Sequence, residues 1–192
     1  LNLQPGETIA SILSVRKFEE DKFVMVATER GVVKKTSLMA YSKPRQGGVI
    51  GLTIDEGDRL IGAELCDGES DILLATVKGF SIRFSEKEAR PIGRTGRGVR
   101  GIRLKADDLV VGAEIVHPGN MLLTITSNGY GKRTRLEEYP VQGRGGLGVM
   151  TIRCNEKIGT VVGIQQVTET DELLVITSDG NIVRMKVIAV PY

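Results

Sequence analysis

Ile72-Leu-Leu-Ala-Thr-Val-Lys-Gly79 and the stretch that follows it, Phe80-Ser-Ile-Arg-Phe84, decide the fold of this chain. An apolar run of this length is too short for a typical helix, and its β-branched and aliphatic content suits a buried strand. Gly79 ends it with the positive φ that a tight hairpin requires, and the mixed apolar and polar stretch after it reads as the half-exposed return strand. The same unit recurs as Phe23-Val-Met-Val-Ala-Thr-Glu-Arg-Gly31, Met121-Leu-Leu-Thr-Ile-Thr-Ser-Asn-Gly129 and Leu173-Leu-Val-Ile-Thr-Ser-Asp-Gly180. The turn glycines 31, 79, 129 and 180 lie 48, 50 and 51 residues apart. Repeats of this length built from short strands mean a propeller-type array.

After each return strand comes a Gly/Arg-rich loop: Lys43-Pro-Arg-Gln-Gly-Gly48, Gly93-Arg-Thr-Gly-Arg-Gly98 and Gln142-Gly-Arg-Gly-Gly-Leu-Gly148. A third strand is expected at Val49–Ile54, Val99–Leu104 and Val149–Arg153, each opening 50 residues after the last. An acidic turn then leads to a fourth at Leu60–Glu64, Val110–Glu114 and Val161–Gln165. Four strands in about 50 residues make one blade. Leu1–Ala10 aligns with Leu52–Ile61, so the chain reads as a partial blade over 1–22, repeats over 23–70, 71–119 and 120–170, and a partial blade over 171–192. The expected fold class is all-β, in a single domain. One-turn helices are expected only at Ser85–Arg90 and Arg135–Tyr139.

With 192 residues, 41% hydrophobic and 26% charged, the chain can bury a substantial core. No apolar run approaches the roughly 20 residues of a membrane span. The first residue is Leu1, and the sequence reads as a piece of a longer protein. Cys66 and Cys154 form no CxxC and read as reduced thiols of a cytoplasmic protein. His117 has no companion at metal-ligand spacing and reads as a turn residue. Gly143-Arg-Gly-Gly-Leu-Gly148 formally fits GxGxxG, but a β-type stretch follows it where a helix is needed. No P-loop is present, and nothing points to catalysis within the chain.

Charge is small in sum, +2, but segregated. Arg90 to Lys105 holds Arg90, Arg94, Arg97, Arg100, Arg103 and Lys105 with no acid, while Asp55 to Asp71 is strongly acidic. Four residues after each turn glycine stands Lys35, Arg83, Arg133 or Arg184, with Lys34 and Lys132 one position earlier. Arg45, Arg94, Arg97 and Arg144 recur in the loops. Cations at fixed places in a curved array lie along a common rim, which suits a phosphate backbone of any sequence. Sequence-tolerant binding and bending of double-stranded DNA is the expectation, with Lys34, Lys35, Arg45, Arg83, Arg94, Arg97, Arg100, Lys132, Arg133, Arg144 and Arg184 as its candidate contacts.

Gly98-Val-Arg-Gly-Ile-Arg-Leu104 and Asn128-Gly-Tyr-Gly-Lys-Arg-Thr134 closely resemble the C-terminal domain of the bacterial DNA gyrase A subunit, and the resemblance runs over the whole chain. It implies a β-pinwheel of six blades that exchange strands, of which about four are present here. It also implies DNA wrapped on a basic outer rim in support of negative supercoiling. The implied partners are the rest of the gyrase A subunit and the gyrase B subunit, in a bacterial, nucleoid-associated, ATP-dependent type II topoisomerase. ATP and Mg would act through other domains, with no cofactor in this chain. Gln142-Gly-Arg-Gly-Gly-Leu-Gly148 echoes the family's Gln-basic-Arg-Gly-Gly-basic-Gly box, with Gly143 and Leu147 at its basic positions. The similar domain of topoisomerase IV and a propeller-type protein scaffold stand as alternative readings.

Overall fold

The computed structural model describes residues 3, 5–43, 45 and 47–192. Leu1, Asn2, Gln4, Pro44 and Gln46, in the first partial blade and the first Gly/Arg loop, lie outside the described residues. Among the described residues thirteen strands run in chain order: β1 (Phe23–Thr28), β2 (Val32–Ser37), β3 (Leu60–Cys66), β4 (Asp71–Thr76), β5 (Phe80–Ser85), β6 (Val99–Arg100), β7 (Val110–Ile115), β8 (Met121–Thr126), β9 (Gly131–Arg135), β10 (Val149–Met150), β11 (Val161–Val167), β12 (Glu172–Ile176) and β13 (Ile182–Lys186). The only helical elements among the described residues are short 3-10 turns at Leu38–Tyr41, Glu86–Glu88, Leu136–Glu138 and Val187–Ala189.

The strands form sheets of order β3-β1-β2-β6, β10-β5-β4-β7, β11-β8-β9 and β12-β13, with antiparallel pairing throughout. In the first two sheets the hairpin is joined on one side by the fourth strand of its own repeat and on the other by a short strand from the next repeat. A blade is therefore not one sequence repeat. Val99 pairs with Val33 and Val149 with Ser81, across the repeat boundary. The carbonyl of Gly31 accepts from the amides of Gly101 and Ile102, and that of Gly79 from Thr151 and Ile152. Only the first two residues of the expected third strands Val99–Leu104 and Val149–Arg153 join a ladder. Val49–Ile54 forms no strand. Its equivalents pair with the hairpin one repeat upstream, and the described residues of 1–22 offer no such edge.

Close approach explains the spacing of 50. At Gly98 (φ +88°) an added Cβ would sit 2.6 Å from the Val33 carbonyl, and at Gly148 (φ +73°) 2.3 Å from the Ser81 carbonyl. No other residue tolerates both the left-handed backbone and the contact.

The core lies between blades. Ile72 and Leu74 of β4 pack toward Met25, Val33 and Ile82. Leu73 and Ala75 of the same strand pack toward Leu122 and Leu136. A strand buried on both faces reads as a continuous apolar run, which is why Ile72–Ala75 shows no alternation. Met121 and Leu123 bury against Val187 and Val190 of the last repeat. β7 packs against both β3 and β11, so these strands form the inner ends of the blades and β6 and β10 the outer rim.

Candidate nucleic-acid interface

Three of the four cations that share one register are tied into the following repeat. Lys35 is 4% exposed, and its ammonium donates to the Glu86 carbonyl at 2.9 Å. Arg83, half-buried, donates to the Leu136 carbonyl at 2.8 Å and to Asp71 Oδ2 at 2.8 Å. Arg133 is 6% exposed and donates to the carbonyls of Val190 at 2.7 Å and Ile188 at 3.4 Å, with its guanidinium 4.0 Å from the Tyr192 ring. Glu86, Leu136 and Ile188 all belong to the 3-10 turn of the following repeat. The register cation is thus a staple from one blade into the next. The Glu86 and Leu136 carbonyls also accept from the Ala89 and Tyr139 amides of their own turns, so there the cation takes up the carbonyl's second lone pair in a charge-assisted bond.

Each staple also has a carboxylate, drawn from a different place. Arg83 uses Asp71 of its own blade, while Lys35 faces Glu86 Oε2 at 3.9 Å and Arg133 faces Glu169 Oε1 at 3.5 Å. Glu86 is wholly buried where the other turns carry Leu38, Leu136 and Val187. Arg184, in the last described hairpin, is exposed and pairs with Glu172. Lys34 is 1% exposed and donates to the carbonyls of Gly51 and Arg94, tying two successive crossing segments together. Burial, and then the nearby Arg94, hold its ammonium below the usual lysine range. Lys34, Lys35 and Arg133 are thus buried and Arg83 half-buried, each already bonded to backbone carbonyls, and a cation so placed has less charge to offer a phosphate than an exposed one.

The loop cations divide. Arg144 is half-buried and acts as a brace, its backbone amide donating to Glu88 Oε2 and its guanidinium to the carbonyls of Glu88 and Arg100. Arg94 is half-buried, and Lys132 is half-buried on β9 opposite Thr124. Arg45, Arg97 and Arg100 are exposed, with Arg97 2.9 Å from Asp55. Beside them stand exposed Arg103, Lys105 and Arg153, which reasoning from register misses. The acid-free run from Arg90 to Lys105 is the signal for the first two. Lys105 lies over the Phe80 ring at 3.8 Å.

These exposed residues share one structural feature, the segments that cross to the preceding blade. Successive segments are bonded to each other: the Thr53 amide donates to the Gly96 carbonyl at 3.3 Å, and 50 residues later the Arg103 amide donates to the Gly146 carbonyl at 2.8 Å. The result is a backbone belt around the outer ends of the blades, with Arg97, Arg100 and Arg103 on its first full span. Glycines at 98 and 101 let the belt seat closely on the hairpin, since an added Cβ would meet the Val33 carbonyl and Leu74 Cδ1, each at 2.6 Å.

The inner ends are acidic. Glu64 Oε2 accepts from the Ile115 amide at 2.9 Å, and Glu114 Oε2 from Gln166 Nε2 at 3.0 Å, each bond joining neighbouring blades. Burial, reinforced by Glu114 and opposed by the Ile115 amide, pushes Glu64 up to about 7. The acidic turns act locally. Asp58 Oδ1 accepts from the Arg30 amide and Asp108 Oδ1 from the Lys78 amide, both at 2.9 Å, fixing the hairpin turn of the same repeat. Among the described residues no three His, Cys, Asp or Glu converge as a metal site. Gly143–Gly148 leads into β10, not a helix. Both cysteines are free thiols.

The model of the DNA gyrase C-terminal domain, beta-propeller, matches residues 22–67, 70–117, 120–168 and 171–190. The DNA gyrase A subunit of Salmonella typhimurium is 44% identical over 187 residues, 97% of this chain and 21% of that protein. The DNA gyrase A subunit of Clostridium acetobutylicum is 41% identical over 97% of this chain and 22% of that protein. The chain thus spans about a fifth of the length of these relatives. Among solved structures, a DNA gyrase A C-terminal domain superposes with a TM-score of 0.88 at 26% identity, covering 97% of this chain and 63% of that one. The C-terminal domain of a DNA topoisomerase IV superposes with 0.87 at 25%, covering 93% and 56%.

Proposed function

Because the chain belongs to the DNA gyrase C-terminal domain family, we propose that it binds double-stranded DNA along the belt of crossing segments and bends it around the outer ends of the blades. The observation that carries this is the exposed set Arg97, Arg100 and Arg103 on one continuous backbone span, in which only Arg97 has an ion-pair partner among the described residues, Asp55. Arg45, Lys105 and Arg153 extend the track, whereas Lys34, Lys35, Arg83 and Arg133 hold the blades that carry it. Contacts of this kind read phosphate, not base edges, so affinity depends on salt and hardly on sequence. Within a longer protein, together with the rest of the gyrase A subunit and with the gyrase B subunit, such a bend would present a DNA crossing to a strand-passing core and so support supercoiling. The chain itself supplies no chemistry to that step.

The test is affinity for a duplex of about 40 base pairs across a salt series, read beside end-to-end energy transfer. With six or more phosphates engaged, binding should weaken by roughly three orders of magnitude between 50 and 200 mM salt, with the duplex ends drawn together. Binding that ignores salt would overturn the reading.

A further inference from the structure

The belt changes character from one span to the next. Gly93–Lys105 and Gly143–Asn155 follow the same course, 50 residues apart, across the outer edges of successive sheets. Each makes the same turn, with the Gly96 amide donating to the Gly93 carbonyl and the Gly146 amide to the Gly143 carbonyl. On the first span the residue after that turn is Arg97 and the outermost strand carries Arg100. On the second the equivalent residues are Leu147 and Met150, 49% and 52% exposed. Two apolar side chains stand in solvent at the register where the preceding span presents guanidiniums.

Their exposure is not looseness of the loop. The Gly145 amide donates to the Gly101 carbonyl at 2.8 Å, and the Arg103 amide to the Gly146 carbonyl at 2.8 Å. Arg144 is clamped to Glu88 through both its amide and its guanidinium, and Gly148 is seated against Ser81. Leu147 is therefore held out from a backbone fixed on both sides, with Arg100, Arg103 and Arg153 exposed on the same belt. A leucine cannot follow phosphates. A rigid apolar tip among cations fits the other contact made by proteins that bend DNA, a wedge into a minor groove that partly unstacks one base step and so makes the bend less costly.

Resting on the DNA-binding reading above, we infer that Leu147, backed by Met150, is such a wedge: the first span grips DNA by charge and the second deforms it. A flexible pyrimidine–purine step should be its preferred seat.

The experiment uses the 192-residue chain and a duplex with one TA step between A-tracts, 2-aminopurine replacing the adenine of that step. Binding should raise the 2-aminopurine fluorescence several-fold and draw the duplex ends together. Leu147→Ala should abolish the fluorescence rise and reduce bending, with the salt slope of binding unchanged. Leu147→Arg should also abolish it while steepening the salt slope by about 0.9, one added phosphate contact. The substituted side chain is exposed, and unchanged circular dichroism checks the fold. Salt-dependent binding with no fluorescence rise, or a rise that survives both substitutions, overturns the wedge and leaves the DNA reading standing. No binding at low salt overturns both.

Discussion

Lys35, Arg83 and Arg133, one in each of three repeats, and Arg97, Arg100 and Arg103, all in a single repeat, carry the same charge in different surroundings. In the first set, Lys35 and Arg83 sit on strands flanked on both sides and Arg133 on the edge strand β9, and all three reach into the next repeat's 3-10 turn. The second lies on the crossing belt in water. The neighbouring repeat decides between them: a long cation that reaches the following 3-10 turn is drawn into the groove between blades, and one on a crossing segment is left outside. Periodicity in sequence locates a structural position. It does not say whether that position faces a partner or a neighbouring blade.

The largest effect should come from the buried set. Lys35→Met leaves Glu86 buried without its cation and should cost about 3–5 kcal/mol in urea unfolding. Adding Glu86→Leu, the residue type found at Leu38 and Leu136, should recover most of that loss. A double variant as unstable as the single one would contradict the staple. Next comes the belt's seat on the hairpins. Gly79 and Gly129 share a left-handed φ, but an added Cβ at Gly79 would lie 2.1 Å from the Ile152 carbonyl, whereas at Gly129 it meets nothing within 4 Å. Gly129→Ala should cost about 1 kcal/mol for backbone strain alone. Gly79→Ala should cost about 2–4 kcal/mol, since the crossing strand must also move; equal losses would deny the crossing strand its seat there.

The smallest effect belongs to the acidic inner end. The folded state raises Glu64 from 4.5 to about 7, so between those values the native protein holds more protons than the unfolded chain. Stability should therefore fall as pH rises through that window and level off above it. Glu64→Gln, which can still accept from the Ile115 amide, should flatten the part of this trend due to Glu64 in melting temperatures taken from pH 5 to 8.

The hairpins, the repeat length and the all-β class are legible in the sequence because they rest on local patterns: apolar runs, turn glycines and return strands. The one-turn elements near Glu86 and Leu136 are legible too, while those at Leu38–Tyr41 and Val187–Ala189 carry no comparable signal. The crossing strands are shorter than their pattern, since Gly98-Val-Arg-Gly-Ile-Arg-Leu104 alternates well beyond the edge it meets. Val49–Ile54 has the right pattern and no partner, and a strand needs one. Glu86 reads as an exposed turn acid in Glu-Lys-Glu, and its burial is made tolerable by the Ser70 amide donating to Oε1 at 2.9 Å and by Lys35 arriving from another blade. Arg103 and Arg153 are one repeat apart, but they fall outside the hairpin and loop positions of the repeated cations.

One experiment tests the proposal that belt cations bind DNA while register cations hold the blades. It is the salt dependence of duplex affinity for Arg97→Ala/Arg100→Ala/Arg103→Ala beside the unaltered chain, with urea stability recorded on both. The expected result is a slope shallower by about 2.7, roughly 0.9 for each lost phosphate contact, and unchanged stability. An unchanged slope would contradict this assignment and return the DNA face to some other part of the molecule.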